Sequence, residues 1–453
     1  MKNLKFSSRF VSTGVAFVLL LGILAGAFYF HGVGSSAHAT APYRSHPITV
    51  KPAMTQATFD GKHNLFTCQE PGAPLRCYSP YQMRVAYDIQ PVLQAGANGA
   101  GQTIVIIDAF QSPTIRQDLK TFNLTFGLHF STLNIIAPDG LTPFNPNDPN
   151  QVGWAEEISL DVEWAHAIAP YATIDLVLAK SNQDADLQSV IQYAVKNNLG
   201  SVISMSFGEA EACMDPALMA AQHQTFQNAV NKGITLFASS GDDGSAQPSC
   251  DGSSFIQAVS TPASDPLVTG VGGTYLNANT SSGKYYGEEA WNETDIVDGA
   301  SGGGYSSVYS RPNYQVSFNR NKTQRGVPDI AYNASVNGGV LVYLGFLGSN
   351  SGFYLFGGTS AGSPQMAGEL ALVNQVFGRQ GNINPTLYLG FAKHGYSQLF
   401  HDVTVGTNAL VPTGIPGYST TTGWDAVTGL GSLILGATFN LSSASTTSSM
   451  WHH

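Results

Sequence analysis

Ser360 lies in the stretch FGGTSAGSPQMAG, residues 356–368, where small residues crowd its hydroxyl and Pro364 follows four positions later. Proline suits the first turn of a helix, because the N–H it lacks would have no partner there. The pattern predicts a serine on a strand-to-helix turn, beside free backbone N–H groups and the positive end of a helix dipole. Such a hydroxyl becomes a nucleophile if a base takes its proton; the simpler reading of Gly-Thr-Ser is a helix cap. None of the 11 histidines stands in a glycine-flanked His-Gly-Thr-His setting. His166 alone is close to acidic residues, and its apolar neighbours predict a structural role. The alternative base is a carboxylate. GWAEEISLDVEWAHAIAP, residues 153–170, reads as a helix ending near Pro170. On it Glu157 and Asp161 stand at i and i+4, sharing one face with Cβ atoms about 6 Å apart. Two acids this close repel, and a partly dry setting raises at least one pKa, so they would titrate as a coupled unit. A solvated acidic face is equally open, since Glu156 and Glu163 are nearby.

Two further places offer oxygen chemistry. Asp242 and Asp243 follow an apolar run and a glycine in ITLFASSGDDGS, at the tip of a predicted strand. An ordinary Asp-Gly turn would also explain them. Asp402-Val403 and TTGWDAVTG, residues 421–429, together supply two carboxylates, two glycines and turn carbonyls. These are hard oxygen donors without nitrogen or sulfur, which favour calcium over a transition metal. No EF-hand loop is present.

The elements that must position these groups follow from periodicity. GQTIVIIDAF from Gly101 reads as a strand buried on both faces. It is followed by strands at 172–180, 201–208 and 234–242 and helices at 184–198 and 215–233. This alternation predicts an α/β fold, a mostly parallel central sheet with helices on both faces. Functional groups of such sheets gather at the carboxyl ends of the strands. Residues 265–360 hold short strand-like runs among Gly, Ser and Asn, and a helix is expected near Pro364.

Composition sets the surroundings. Charged residues are 11% of the chain, under half of the usual quarter or so. With 20 Lys+Arg against 30 Asp+Glu the formal net charge is −10, so no basic field exists to hold nucleic acid. Lys2, Lys5 and Arg9 precede an apolar run from Phe10 to Phe30, and Ala37-His38-Ala39 forms an A-x-A cleavage pattern. Residues 1–39 are therefore expected to be a secretory signal, or, if retained, a membrane anchor. Either way the remainder faces the outside, secreted or anchored. Four cysteines allow three pairings, of which the local one, Cys68–Cys77 with Cys213–Cys250, is expected in an oxidising compartment. Residues 40–79, punctuated by proline, read as an extended arm. The low-complexity stretch 441–453 reads as a disordered tail.

Taken in order, Glu-x-x-x-Asp at 157–161, Ser-Gly-Asp at 240–242 and Gly-Thr-Ser-x-x-x-Pro at 358–364 resemble the sedolisin family, serine-carboxyl peptidases of subtilisin-like fold. SPYQMRVAYDI, SGGGYSSVYSRPNYQ, RGVPDIA and HDVTVG…GWDAVTGLG match as well, so the resemblance covers about 80–438, within an expected peptidase domain at 80–440. The resemblance implies Ser360 as nucleophile, Glu157 as general base, Asp161 as the acid that orients it, and Asp242 as oxyanion stabiliser. It implies a supporting role for Asp108 and a cleft lined by Ser206 and Gly208. It further implies one structural Ca2+ held by the side chains of Asp402 and Asp425 and the carbonyls of Val403, Thr421 and Gly423. Thr421 replaces a common glycine, which a carbonyl ligand tolerates. Cys213 and Cys250 occupy positions where some members carry a disulfide. The implied protein is an acid-active, monomeric peptidase acting on peptides or unfolded proteins, either as an endopeptidase or by releasing tripeptides. One departure is expected: the family is usually made with a long N-terminal prodomain, and only about 40 residues separate Ala39 from the core, too few for a globular one. Two other classes would use parts of the same pattern. A non-catalytic, calcium-stabilised binding protein on the same fold would be expected to have lost at least one of the four catalytic matches. A carboxylate-pair glycoside hydrolase would leave Gly-Thr-Ser unexplained.

Overall fold

The computed structural model describes residues 54–58, 66–319, 322–394, 396–443 and 451. The expected signal segment and part of the arm and tail lie outside them. Among the described residues no helix is long and apolar enough to cross a membrane.

An eight-stranded sheet organises the molecule. Its strands are β1 (Thr103–Ala109), β2 (Leu133–Ile136), β3 (Thr173–Ala179), β4 (Val202–Met205), β5 (Thr235–Ser239), β6 (Thr269–Ala278), β7 (Tyr285–Ala290) and β8 (Ile330–Asn333). They run in the order β7-β6-β5-β4-β1-β3-β2, with β8 beside β6. Every pairing is parallel except β6 with β7. Side chains alternate across the pleat, so one face of β1 sends Ile104 and Ile106 into the larger core while Val105 and Ile107 enter a second core. Helices cover both. Ile115–Phe126 (α1), Pro149–Ile168 (α2) and Gly362–Phe377 (α5) pack on the first; Asp184–Asn197 (α3) and Pro216–Asn231 (α4) pack on the second.

A smaller sheet closes over α2. It is built from β9 (Gly339–Leu344) and β10 (Gly352–Phe356), with Met54–Gln56 and Cys77–Tyr78 on its edges. Trp164 donates its indole N–H to the Leu341 carbonyl at 2.9 Å, and the Tyr343 N–H donates to Glu163 Oε2 at 2.9 Å. Flanked by two sheets, α2 is buried almost all round, Glu156, Glu157, Asp161 and Glu163 included. The solvated acidic face does not exist. The helix also begins earlier than its apolar spacing indicated: Asp148 accepts the Asn150 N–H at 3.0 Å and Pro149 takes the first position. A second correction concerns the tail. Leu435–Ser443 is helical, and Trp451 is buried in the larger core, so neither 441–443 nor 451 fits the expected disorder. Both disulfides pair as expected, Cys68–Cys77 and Cys213–Cys250.

Candidate active site

Three strand ends and one helix converge on Ser360. β10 leads through Gly357 and Gly358 to a single 3-10 turn, Thr359–Ala361, and α5 starts at Gly362. Gly358 has φ +85°, and a Cβ there would lie 2.5 Å from Asp242 Oδ2. Only glycine both adopts that backbone and lets the turn close on the carboxyl. The Ser360 hydroxyl donates to the Ser206 carbonyl at 3.5 Å, just beyond the end of β4.

From α2, one helical turn apart, Glu157 and Asp161 enter the same interior. Their carboxyls hydrogen-bond each other, and the Ser360 hydroxyl bonds to Glu157. Ser206 Oγ donates to Asp161 Oδ1 at 2.8 Å. Burial first, and then repulsion from neighbouring acids, pushes both carboxyls well above the ordinary carboxylate range. Asp108, near the end of β1, stands behind them. Both its oxygens are buried without a hydrogen-bond partner, and burial with the nearby Glu157 raises its pKa strongly. Three acids thus share one dry pocket in which full ionisation is prohibitive.

Asp242 approaches from the other side, past the end of β5. Its Oδ1 accepts both the N–H and the hydroxyl of Thr359, each at 2.8 Å. Burial raises its pKa, opposed by those two donors. Glu157, Ser360, Asp242, Ser206 and Gly208 all line one cleft of about 740 Å³, while Asp161 and Asp108 do not reach it. Cys213 and Cys250 line the same cleft, so their disulfide braces its wall. His166 is fully buried, bonded through Nδ1 to Ser131 Oγ at 2.9 Å, and desolvation pushes its pKa down to about 4. It is a neutral, structural histidine.

Sequence reasoning missed two residues. Thr359 sits in a run of small residues, and only the chain fold brings its hydroxyl onto Asp242. Glu209, in the cleft wall, carries no motif at all; it enters the cleft because Glu209–Ala210 pairs with Ser260–Thr261 far along the chain.

Two segments carry the expected calcium ligands. Asp402 accepts the Gly423 N–H with both oxygens at 3.3 Å, and Asp425 Oδ2 accepts the Thr421 N–H at 2.9 Å. Asp425 Oδ1 takes the N–H groups of Val427 and Thr428, and Val403 is buried. Burial pushes Asp425 up to about 6. No three His, Cys, Asp or Glu side chains gather to hold a metal among the described residues. The two carboxylates are hard oxygen donors, a chemistry that suits calcium and not a thiophilic ion.

Known proteins resemble this chain in sequence and fold. The subtilase family model matches residues 145–386. Kumamolisin from Bacillus sp. (strain MN-32) is 34% identical over 82% of this chain and 64% of its own length. Sedolisin from Pseudomonas sp. (strain 101) is 33% identical over 79% of this chain and 60% of its own. The chain therefore spans less than two thirds of either relative. The solved structure of Pseudomonas sedolisin, a serine-carboxyl proteinase complexed with pseudo-iodotyrostatin, superposes with a TM-score of 0.72 at 29% identity. The match covers 82% of this chain and 99% of that one.

Proposed function

Because the chain belongs to the sedolisin family, within the subtilases, we propose that it is a serine-carboxyl peptidase that hydrolyses peptide bonds in acid. The observation that carries this reading is the joint placement of Ser360, Glu157 and Asp242 on one cleft. In the first step Ser360 Oγ attacks the scissile carbonyl carbon while Glu157 takes the hydroxyl proton. The carboxyls of Glu157 and Asp161 are hydrogen-bonded, so the pair shares protons and the dry pocket never has to hold two carboxylate charges side by side. Ser206 Oγ steadies Asp161. Glu157 next protonates the leaving amine as the C–N bond breaks. Water then attacks the acyl-enzyme ester, giving a proton to Glu157, which passes it to Ser360 Oγ as the ester C–O bond breaks and the acid product leaves.

The carbonyl oxygen gains charge during attack. Asp242 Oδ1 is saturated by two Thr359 donors, which leaves Oδ2 to serve the oxyanion. A carboxyl donates only when protonated, and burial keeps Asp242 above its ordinary pKa, so the donor survives in acid and is lost as pH rises. Asp108 supports the arrangement from behind. Ser206 and Gly208 present backbone along the cleft to an extended peptide. Calcium, when bound by Asp402, Asp425 and the carbonyls of Val403, Thr421 and Gly423, would tie two distant loops together and take no part in the reaction. The disulfides agree with export, by a cleaved signal at 1–39, as a monomer acting on peptides or unfolded proteins.

Hydrolysis of an unfolded protein at pH about 4, lost in Ser360→Ala, tests the reading. Undiminished proteolysis by Ser360→Ala would overturn it.

A further inference from the structure

We infer that the N-terminal arm is a positioning element for the reaction: its strand Met54–Gln56 holds the hairpin that sets Ser360 against Glu157. The inference rests on the peptidase reading above and adds the residue, Thr55, through which the arm acts.

The hairpin of β9 and β10 touches both halves of the catalytic pair. β9 holds the helix that carries the base: the Leu341 carbonyl accepts the Trp164 indole N–H, and the Tyr343 N–H donates to Glu163, both on α2. β10 ends at Phe356, and only Gly357, Gly358 and Thr359 separate it from Ser360. Successive glycines leave that connection without side chains to stiffen it, so its course is set by what flanks it. On one side the Gly358 N–H donates to the Ala334 carbonyl at 2.7 Å, and a Cβ on Gly357 would lie 2.5 Å from the same oxygen. On the other its course depends on where β10 lies.

Among the described residues, the arm supplies both edges of this sheet. Met54–Gln56 pairs antiparallel with β10, with Met54 opposite Phe356, Thr55 opposite Leu355 and Gln56 opposite Tyr354. Cys77–Tyr78 pairs parallel with β9. The Ala57 N–H donates to the Phe353 carbonyl at 2.8 Å. Antiparallel ladders alternate, so the next hydrogen-bonded pair is Thr55 with Leu355, the last residue of β10 whose backbone faces away from β9. Between the two edges the arm comes back against the hairpin. Phe66 is buried and meets Phe353 edge-on at 4.9 Å, while the disulfide-bonded Cys68 and Cys77 share an apolar cluster with Leu341 and Leu355. Without Met54–Gln56, β10 would be an open sheet edge just ahead of the nucleophile. The arm itself contributes no residue to the cleft, so its loss should leave substrate binding in place.

Thr55→Pro removes one ladder donor far from the cleft. kcat should fall about tenfold, with KM within about twofold, because a nucleophile displaced by a fraction of an ångström loses rate and not affinity. Thr55→Val keeps the N–H and the branched side chain and should retain the wild-type kcat. Hydrogen–deuterium exchange in a Ser360→Ala background reads the same event without turnover. The amides of Gly358, Thr359 and Ala361, bonded to Ala334, Asp242 and Gly358, should exchange about tenfold faster in Thr55→Pro. A wild-type protein that cleaves no peptide would therefore count against the peptidase reading alone. A lower melting temperature with kcat and exchange unchanged would mean that the arm only adds stability, and would overturn the inference. So would a loss carried by KM, or an equal loss in Thr55→Val. Should Thr55→Pro not fold, Thr55→Gly loosens the same strand, and unchanged kcat and exchange there would overturn it as well.

Discussion

Thr359 gives Asp242 two hydrogen bonds on the same oxygen, one from its N–H and one from its hydroxyl, each at 2.8 Å. Both donors favour the ionised carboxyl, opposing the larger upward push of burial. The residue next to the nucleophile therefore tunes the group that must donate to the oxyanion. Thr359→Val removes the hydroxyl donor and keeps the N–H. Asp242 should then titrate higher, and the alkaline limb of kcat/KM should move to higher pH. The maximum should fall about tenfold from lost positioning. A pH–rate profile measures both, and an unmoved limb would separate Thr359 from the titration of Asp242.

Asp242 itself separates charge from donation. An amide donates at any pH, so Asp242→Asn should retain more activity than Asp242→Ala and lose the alkaline limb that Asp242 imposes. Removal of the donor in Asp242→Ala should cost on the order of 3 kcal/mol of barrier, some hundredfold in kcat. Equal losses in the two variants would argue against an oxyanion role.

Glu157 is held in a setting that favours its neutral form, although the reaction needs it as a base. Glu157→Gln should therefore abolish turnover while raising the melting temperature at neutral pH, where the native carboxyl is most costly. Calorimetry with a peptidase assay on one preparation checks the pair of effects. Residual turnover above a few per cent would remove Glu157 from the base position.

How far these features were legible varies with the distance over which they are determined. Glu157 and Asp161 share a helix, and their spacing alone put both on one face. The solvated-face alternative failed because the smaller sheet that covers α2 is assembled from residues beyond 338 and from the arm. β6 was read only as a short strand-like run among glycines. Its glycines are demanded by packing: a Cβ on Gly272 would lie 2.6 Å from the Pro328 ring, and one on Gly273 2.8 Å from Ala334. Propensity hides such a strand, since the layers press too closely for any side chain. The start of α2 is legible in Asp148-Pro149, a cap followed by proline, although the apolar spacing begins later. Glu209 was not legible, for its burial depends on a strand pairing fifty residues away in outline and on no local pattern.

The loop of Asp402 and Asp425 yields a test of calcium. A carboxylate must lose its proton to bind the ion, and burial raises Asp425 to about 6. Chelation should therefore lower the melting temperature clearly at pH about 7 and far less at pH about 4, where protons compete for the same oxygens. Differential scanning fluorimetry with and without EDTA decides it. An equal melting temperature at neutral pH would remove the ion from this loop.

The whole protein should be most stable in acid, for a reason that lies in its core. Asp108, Glu157, Asp161, Glu163 and Glu369 are buried, and desolvation raises each pKa well above its ordinary value. Glu156 is pushed up to about 7 and Glu209 to about 8 by the same cause. A carboxyl whose folded pKa lies above its unfolded one binds its proton more tightly in the native state. Its contribution is complete below the unfolded value, roughly pH 4, and is lost as pH rises through the folded value. For Glu156 and Glu209 that loss falls at about 7 and 8. Stability should thus decline from acid towards mild alkali, opposite to the usual acid unfolding of proteins whose carboxylates are paired with cations. Arg325 with Asp329 is a buried pair of that ordinary kind, yet burial still leaves Asp329 above its ordinary value, so it does not reverse the trend. Chemical denaturation at a series of pH values, with calcium held in excess, measures the slope directly. A midpoint that rises between pH about 4 and 8 would show that these carboxyls are solvated or paired in the native protein.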